Sequence, residues 1–322
     1  IYLSIHDFGH AHPAIAVGIS ALFIGWLALF PALACGMTAA GRVTSLGRAT
    51  ALFPTAWVCS EWLRTWMITG YPWMALGYSQ TEGWLSGLAP IFGVHGISWV
   101  LCSLAALSTM VVTSGHARKT RQVAAALLVF ILGFSLAWGQ ASWVQPSQKQ
   151  LAVSAIQGNV AIDDKWDPRH LHDKLAHYHN LTTQNSQRHH LYVWPEAASG
   201  DYFHRVKALL EPTRRWLIEH DSMALLGTPL QQQAQSYNGL ATLSSTPPQY
   251  YKKRHLVPFG EYWPLQELLG RGARLFDLPM SMYQAGPETQ PLITWKHTRI
   301  APFICYEITY PNLVRAAAKQ AD

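Results

Sequence analysis

The chain has 322 residues, 49% of them hydrophobic and only 13% charged, with a formal net charge of +6. Soluble domains carry about 25% charged residues, so this composition excludes an ordinary cytosolic enzyme, and its hydrophobicity excludes disorder. The charges are unevenly spread: residues 1–150 hold seven Lys/Arg and three Asp/Glu, residues 151–322 seventeen and fifteen. The near-balance of the second part is no footprint for nucleic acid, and two regions of different solvent meet near residue 150.

In the first region, His6, His10 and His12 have metal-like spacing. No Cys or carboxylate cluster supports a metal there, and solvated histidines at a membrane edge account for them, so no metal site is expected. Residues 14–35 form an uncharged run of spanning length. A second run, 49–69, is interrupted by Glu61 and Arg64, which lie three apart and share a helix face. Runs at 88–112 and 122–139 complete four expected transmembrane helices. The aromatic residues Tyr71, Trp73, Tyr78 and Trp84 fit an interfacial belt or a lipid-accessible opening. Arg42 and Arg48 lie in one loop, and Arg118, Lys119 and Arg121 in another. With four spans these basic loops share a side, which the positive-inside rule assigns to the cytoplasm. Everything after Gly139 is then expected outside it.

The second region alternates strand and helix patterns, as in an α/β layered domain. Leu151–Ile156 reads as a buried strand, His170–Gln187 as an amphipathic helix and His190–Trp194 as a short strand. Asp201–His220 reads as a helix that Pro212 kinks or splits. Met223–Gly227, Asn238–Leu243 and Thr298–Cys305 are further strand candidates. Domain boundaries follow: 1–140 a transmembrane region, 141–322 an α/β domain.

Cys35, Cys59 and Cys102 fall in membrane runs, which leaves Cys305 alone in the second region. A lone cysteine outside the cytoplasm is either a buried core residue or a free thiol, and its position at a strand end leaves both open. Tyr192-Val-Trp-Pro-Glu196 places a carboxylate just after a strand. Tyr250-Tyr-Lys-Lys-Arg-His-Leu-Val-Pro-Phe-Gly-Glu261 places three cations before an apolar turn and a second Glu. A thiol nucleophile needs a base for its proton and a cation for the developing oxyanion. Glu196, Lys253 and Cys305 supply those groups. Each also has a plain reading: Glu196 as a helix cap, Lys252–Arg254 as a solvated or headgroup-facing patch, Glu307 as a surface acid.

Trp-Pro-Glu, then Tyr-x-Lys-x-His-Leu-Val-Pro-Phe-Gly-Glu, then Ile-Cys-Tyr-Glu resembles the carbon–nitrogen hydrolase (nitrilase) superfamily. More closely the chain resembles the apolipoprotein N-acyltransferase family. The segments Ser4–Gly9, Ser60–Gln80, Gln157-Gly-Asn and Lys165-Trp-Asp167 extend that likeness from residue 4 to 310. The resemblance implies an α-helical membrane bundle plus an extracytoplasmic nitrilase-like α-β-β-α sandwich. It implies a Glu196–Lys253–Cys305 triad, with Glu196 as general base then acid, Lys253 holding the oxyanion and Cys305 carrying the acyl group. Lys253 is preferred to Lys252 because it holds the Lys-x-His position. Glu261, Glu307 and Tyr306 match supporting positions, and Trp166 and Asn238 match substrate-binding ones.

The implied reaction moves an acyl chain from a phospholipid donor, through a Cys305 thioester, to the α-amine of a diacylglyceryl-modified apolipoprotein acceptor. It requires no metal or organic cofactor and places the protein in a bacterial inner membrane, multi-pass, with its catalytic domain periplasmic. A conjugal-transfer relative of the TraB type with another substrate, or a non-catalytic membrane assembly factor, are the alternatives. The chain starts at Ile1, and only seventeen residues follow Cys305, where the family's catalytic domain continues. A C-terminally incomplete sandwich, a window on a longer chain, is the expectation.

Overall fold

The computed structural model describes residues 1–7, 11–113, 115–139, 143, 150–184, 188–258, 260–262 and 283–322. His10, the Phe8–Gly9 end of the first motif, the region boundary between 140 and 150, the last residues expected in the 170–187 helix, and Phe259 lie outside these. The chain divides into two compact units, one within residues 1–146 and the other in the main within 147–322.

The first unit is helical. A short α1 (Tyr2–His6) precedes α2 (Pro13–Ala40), whose first turn is capped by His12 accepting from the Ala14 N–H. His6 Nδ1 lies 2.9 Å from the carbonyl oxygen of Ala11, so both described histidines of the apparent metal pattern serve local structure. A single turn α3 (Ser45–Gly47) runs through a π-helical turn, Arg48–Leu52, into α4 (Phe53–Arg64). The long helices α5 (Ala89–Val112) and α6 (Arg118–Gly139) follow. Among the described residues three helical segments, Pro13–Ala40, Ser86–Val112 and Arg118–Trp138, are long and apolar enough to cross a membrane. Their outward side chains include Leu22, Val129 and Phe130, each about two-thirds exposed or more. Helices apolar all round that leave such residues outside are built for a lipid solvent.

The expected run 49–69 is not one continuous α-helix. Pro54 has no N–H for the carbonyl four residues back, and the Phe53 N–H instead reaches Arg48 O, five residues back. The helix stops at Arg64, and Gly70 (φ +83) turns the chain away. Glu61 is buried and accepts from Trp57 Nε1 at 2.9 Å and the Leu76 N–H at 2.7 Å. A carboxylate in an apolar bundle persists where such donors surround it. α5 is kinked at Gly93 (φ +63).

The second unit holds a five-stranded mixed sheet in the order β1 (Val153–Ala155), β2 (Leu191–Val193), β3 (Met223–Gln232), β4 (Gln235–Leu243), β5 (Tyr250–Lys252). β1, β2 and β3 are parallel, and β3, β4 and β5 antiparallel. Side chains alternate between its faces. Tyr192, Ala224, Leu226, Ala241 and Leu243 pack against helices α8 (Leu171–Thr183), α9 (Phe203–Val206) and α10 (Glu211–Glu219). A four-residue α7 (Ile162–Lys165) precedes them. Leu191, Met223, Leu225, Leu240 and Tyr251 face the other way, onto Ile293, Trp295 and Ile304. Two of these belong to a hairpin of β6 (Ile293–Trp295) and β7 (Thr298–Ile300). The described residues thus give a helical layer, the large sheet, a two-stranded second sheet and one further short helix, Pro311–Ala318, after the Cys305 turn.

Several expected elements change. Among the described residues the first strand is an edge, paired only with β2, and Val153 is half exposed rather than buried. Pro212 splits the expected 201–220 helix and stands in the first turn of α10, where its missing N–H costs nothing. The expected 298–305 strand ends at Ile300, since Pro302 has no donor to continue a ladder. Cys305 therefore opens a 3-10 turn, Cys305–Thr309, instead of closing a strand.

Candidate active site

Four segments of the second unit converge where β2 ends. Trp194 extends β2 by one bond, its N–H donating to Leu225 O at 2.8 Å, and the chain then turns through Pro195–Gly200 with Ala197 at φ +51. Glu196 rides on this turn. Gly227 of β3 lies directly beneath it: a Cβ there would come within 2.2 Å of the Pro195 oxygen and 2.7 Å of Glu196 Cα. Asn238 stands on β4, opposite Pro229. Lys253 follows β5, and its N–H donates to Asn238 O at 2.8 Å, adding one rung to the ladder. Carboxyl ends of parallel strands are where open α/β sheets place ligands.

The polar side chains form a closed network. Lys253 Nζ donates to Glu261 Oε1 at 2.9 Å and to Glu196 Oε1 at 3.3 Å. Asn238 Nδ2 donates to Glu196 Oε1 at 2.6 Å and, in a very short bond, to Glu261 Oε1. The second oxygen of Glu261 accepts the Val257 N–H at 2.7 Å. Glu261 is thus fully engaged and buried, whereas the Glu196 side chain keeps 33% exposure. Of the two carboxylates, Glu196 is the one left open to solvent.

Lys253 is 1% exposed. Burial alone would push its ammonium down, but Glu196 and Glu261, with a smaller contribution from Cys305, hold it above the usual lysine value. It remains a cation. Lys252 does different work, capping Gln232 and lying 4.0 Å over the Tyr237 ring. Geometry thus gives the two adjacent lysines different partners.

Cys305 adopts φ +51, a left-handed backbone that costs a non-glycine residue about 1–2 kcal/mol and that clusters at functional sites. It carries the chain from extended Ile304 into the 3-10 turn and leaves the residue exposed. Desolvation pushes its thiol above the ordinary value and the Glu196 carboxylate adds to this, while Lys253 and the Tyr306 N–H offset part. The charge count adds to desolvation in the same direction. Two carboxylates and one ammonium already leave the pocket at −1, and a thiolate formed by losing its proton to solvent would make it −2.

Glu307 is not a surface acid but is completely buried. Its carboxylate accepts from Tyr251 Oη at 2.9 Å, from the N–H groups of Arg254 at 2.7 Å and His255 at 3.3 Å, and from Ile304 N–H at 2.8 Å. It ties the segment after β5, which carries Lys253, to the residue preceding Cys305. Tyr306 is buried within an aromatic cluster, 5.5 Å from the His255 ring and 5.1 Å from Tyr310. Trp166, half exposed at the end of α7, is reached by none of the network's hydrogen bonds. Sequence reasoning quoted Tyr251 within the Tyr-x-Lys-x-His motif but gave it no role, and it missed Gly227. The alternation in Tyr250-Tyr-Lys252 was the available signal for β5, and nothing local marks Gly227.

Both parts of the chain match known proteins. The family model described as apolipoprotein N-acyltransferase N-terminal domain matches residues 1–107, and that described as carbon-nitrogen hydrolase matches residues 152–322. Among curated proteins, the chain is 38% identical to an apolipoprotein N-acyltransferase of Pseudomonas putida, over 100% of this chain and 65% of the relative. It is 37% identical to one of Coxiella burnetii, over 98% and 65%, and 35% identical to one of Methylococcus capsulatus, over 95% and 61%. The chain spans a little under two thirds of the length of these relatives.

Proposed function

This chain belongs to the carbon–nitrogen hydrolase family and carries ahead of that domain an apolipoprotein N-acyltransferase N-terminal domain; on that premise we propose that it is an acyltransferase of lipoprotein maturation. The observation that carries the reading is an exposed thiol on a strained turn, faced by a carboxylate and a buried ammonium, in a chain that also holds three helices fit to cross a membrane. A lipid-anchored donor and a lipid-anchored acceptor explain why such a site accompanies membrane helices.

In the first half-reaction Cys305 Sγ attacks the ester carbonyl of a phospholipid. Glu196 takes the thiol proton, so the pocket's net charge is conserved as the thiolate forms. Lys253 Nζ stabilises the tetrahedral oxyanion. Collapse breaks the ester C–O bond, Glu196 returns the proton to the departing lysophospholipid oxygen, and the acyl group remains on Sγ as a thioester. In the second half-reaction the α-amine of a diacylglyceryl-modified N-terminal cysteine attacks the thioester carbonyl. Glu196 accepts the amine proton and passes it to the departing Sγ, forming the amide and restoring the thiol. Glu261 and Asn238 hold Glu196 and Lys253 in register, Glu307 and Tyr306 hold the nucleophile turn, and Trp166 and Asn238 contact substrate. No other redox or group carrier enters this balance.

We infer a periplasmic catalytic unit in an inner membrane from the basic loops around Arg42 and Arg118, which the positive-inside rule assigns to the cytoplasm when 49–69 crosses together with the three long helices. The test is genetic and chemical. The gene carrying this chain should rescue cells depleted of their own lipoprotein N-acyltransferase; a folded, membrane-inserted product that does not rescue sinks the reading. Cys305→Ala must abolish covalent labelling by an acyl-tagged phospholipid, and persistent label would reassign the nucleophile.

A further inference from the structure

Lys174 of α8 is buried, yet the chemistry above makes no use of it. Burying an ammonium is costly unless its donors are satisfied. Burial pushes the Lys174 ammonium below the usual lysine value, with Lys165 adding to this and Asp167, Asp201 and Asp164 opposing it. Its Nζ donates to the backbone oxygen of Lys165 at 2.5 Å. Lys165 is the last residue of α7, and the next residue is Trp166.

The same two atoms lie against the catalytic turn. A Cβ at Gly200 would come within 2.1 Å of Lys174 Nζ and 2.2 Å of the Lys165 oxygen. Gly200 has φ +68 and closes the turn carrying Glu196, its N–H donating to Ala197 O at 3.2 Å. Only a residue without a side chain lets the ammonium approach so closely. The turn is thereby bounded on two sides, by Gly227 of the sheet and by the Lys174–Lys165 contact.

We propose that Lys174 is a positioning residue: an internal strut that ties the Trp166 segment to the Glu196 turn, so that the donor lipid is held in register with the base that serves Cys305. This rests on the function proposed above, and its test separates the two.

Lys174→Met keeps the stem and removes the ammonium. In the purified membrane protein, amide hydrogen exchange in residues 161–167 and 196–202 should accelerate, while β3 and β4 stay as protected as before. With a phosphatidylethanolamine bearing an alkyne-tagged acyl chain, the KM for thioester formation should rise about tenfold, in the range seen when an outer positioning group is lost. Alkylation of Cys305 by iodoacetamide should stay within about twofold, since the thiol's own surroundings are intact. Lys174→Gln retains one donor for Lys165 and should recover most of the KM and the protection. Unchanged exchange in Lys174→Met overturns the strut. Faster exchange with an unchanged donor KM overturns its role in substrate positioning. A Gln variant as impaired as Met overturns the hydrogen bond as the cause. Should the unaltered protein take no acyl group from the phospholipid, the proposed function fails, and the exchange measurement alone decides the strut.

Discussion

At the scale of single residues, the site is governed by a charge count of two carboxylates, one ammonium and one thiol. The thiol sits above its ordinary value because burial and Glu196 outweigh Lys253, so the thiolate fraction of the free protein should climb only above the usual midpoint of about 8.5. Removing Glu196 as Glu196→Gln deletes a raising influence, and the pH profile of iodoacetamide alkylation should move to lower pH. Lys253→Met deletes a lowering influence, and the profile should move to higher pH. Opposite or absent shifts would show that these side chains do not face Cys305. Both variants should also lose at least about a hundredfold in acyl transfer, the usual scale for a general base or an oxyanion donor. Glu307 makes a different demand. Glu307→Ala would leave the donors of Tyr251 and Ile304 buried, and those of Arg254 and His255 partly buried, without this acceptor, and thermal unfolding in detergent should report a loss of about 3 kcal/mol. Sequence motifs pointed to Glu196, Lys253 and Cys305, because their residue types and order carry the chemistry. That Glu307 holds backbone rather than meeting solvent was illegible, since burial is set by segments more than fifty residues away.

At the scale of elements, what positions the chemistry is the turn after β2 and the 3-10 turn that begins at Cys305. Gly227 seats the first of these. Gly227→Ala should displace Glu196 and slow acyl transfer by about a hundredfold, as a misplacement of about 1 Å does, while Lys253 and Cys305 keep their own backbone bonds. A variant with unaltered kcat would show that the turn is not held from below. A single-face repeat located α8, and uninterrupted apolar runs located β2, β3, β4 and the membrane-length helices, because hydropathy is written in each segment's own side chains. It overextended the strand toward Cys305, because Pro302 and the left-handed cysteine act on backbone hydrogen bonding rather than on hydropathy. It also drew one helix through 49–69, where Pro54 forces a π turn and Gly70 ends the run.

At the scale of the whole molecule, ten charges in the first 150 residues against thirty-two in the rest correspond to a helical unit suited to lipid and an α/β unit suited to water. The proposed orientation has a direct check. In a background without native cysteines, Glu219→Cys should react with a membrane-impermeant maleimide from the periplasmic side, and Lys119→Cys only after lysis. The reverse pattern would overturn the topology. Composition and periodicity sufficed to separate these solvents, because solvent preference is a property of each segment's own side chains. Ordered motifs sufficed to nominate a thiol, a base and a cation. Which groups Lys253 and Glu196 meet in the pocket, and that Glu307 ties backbone together instead of meeting solvent, were decided by the tertiary structure alone. Those distinctions depend on neighbours that strand pairing and tight turns bring together from distant parts of the chain.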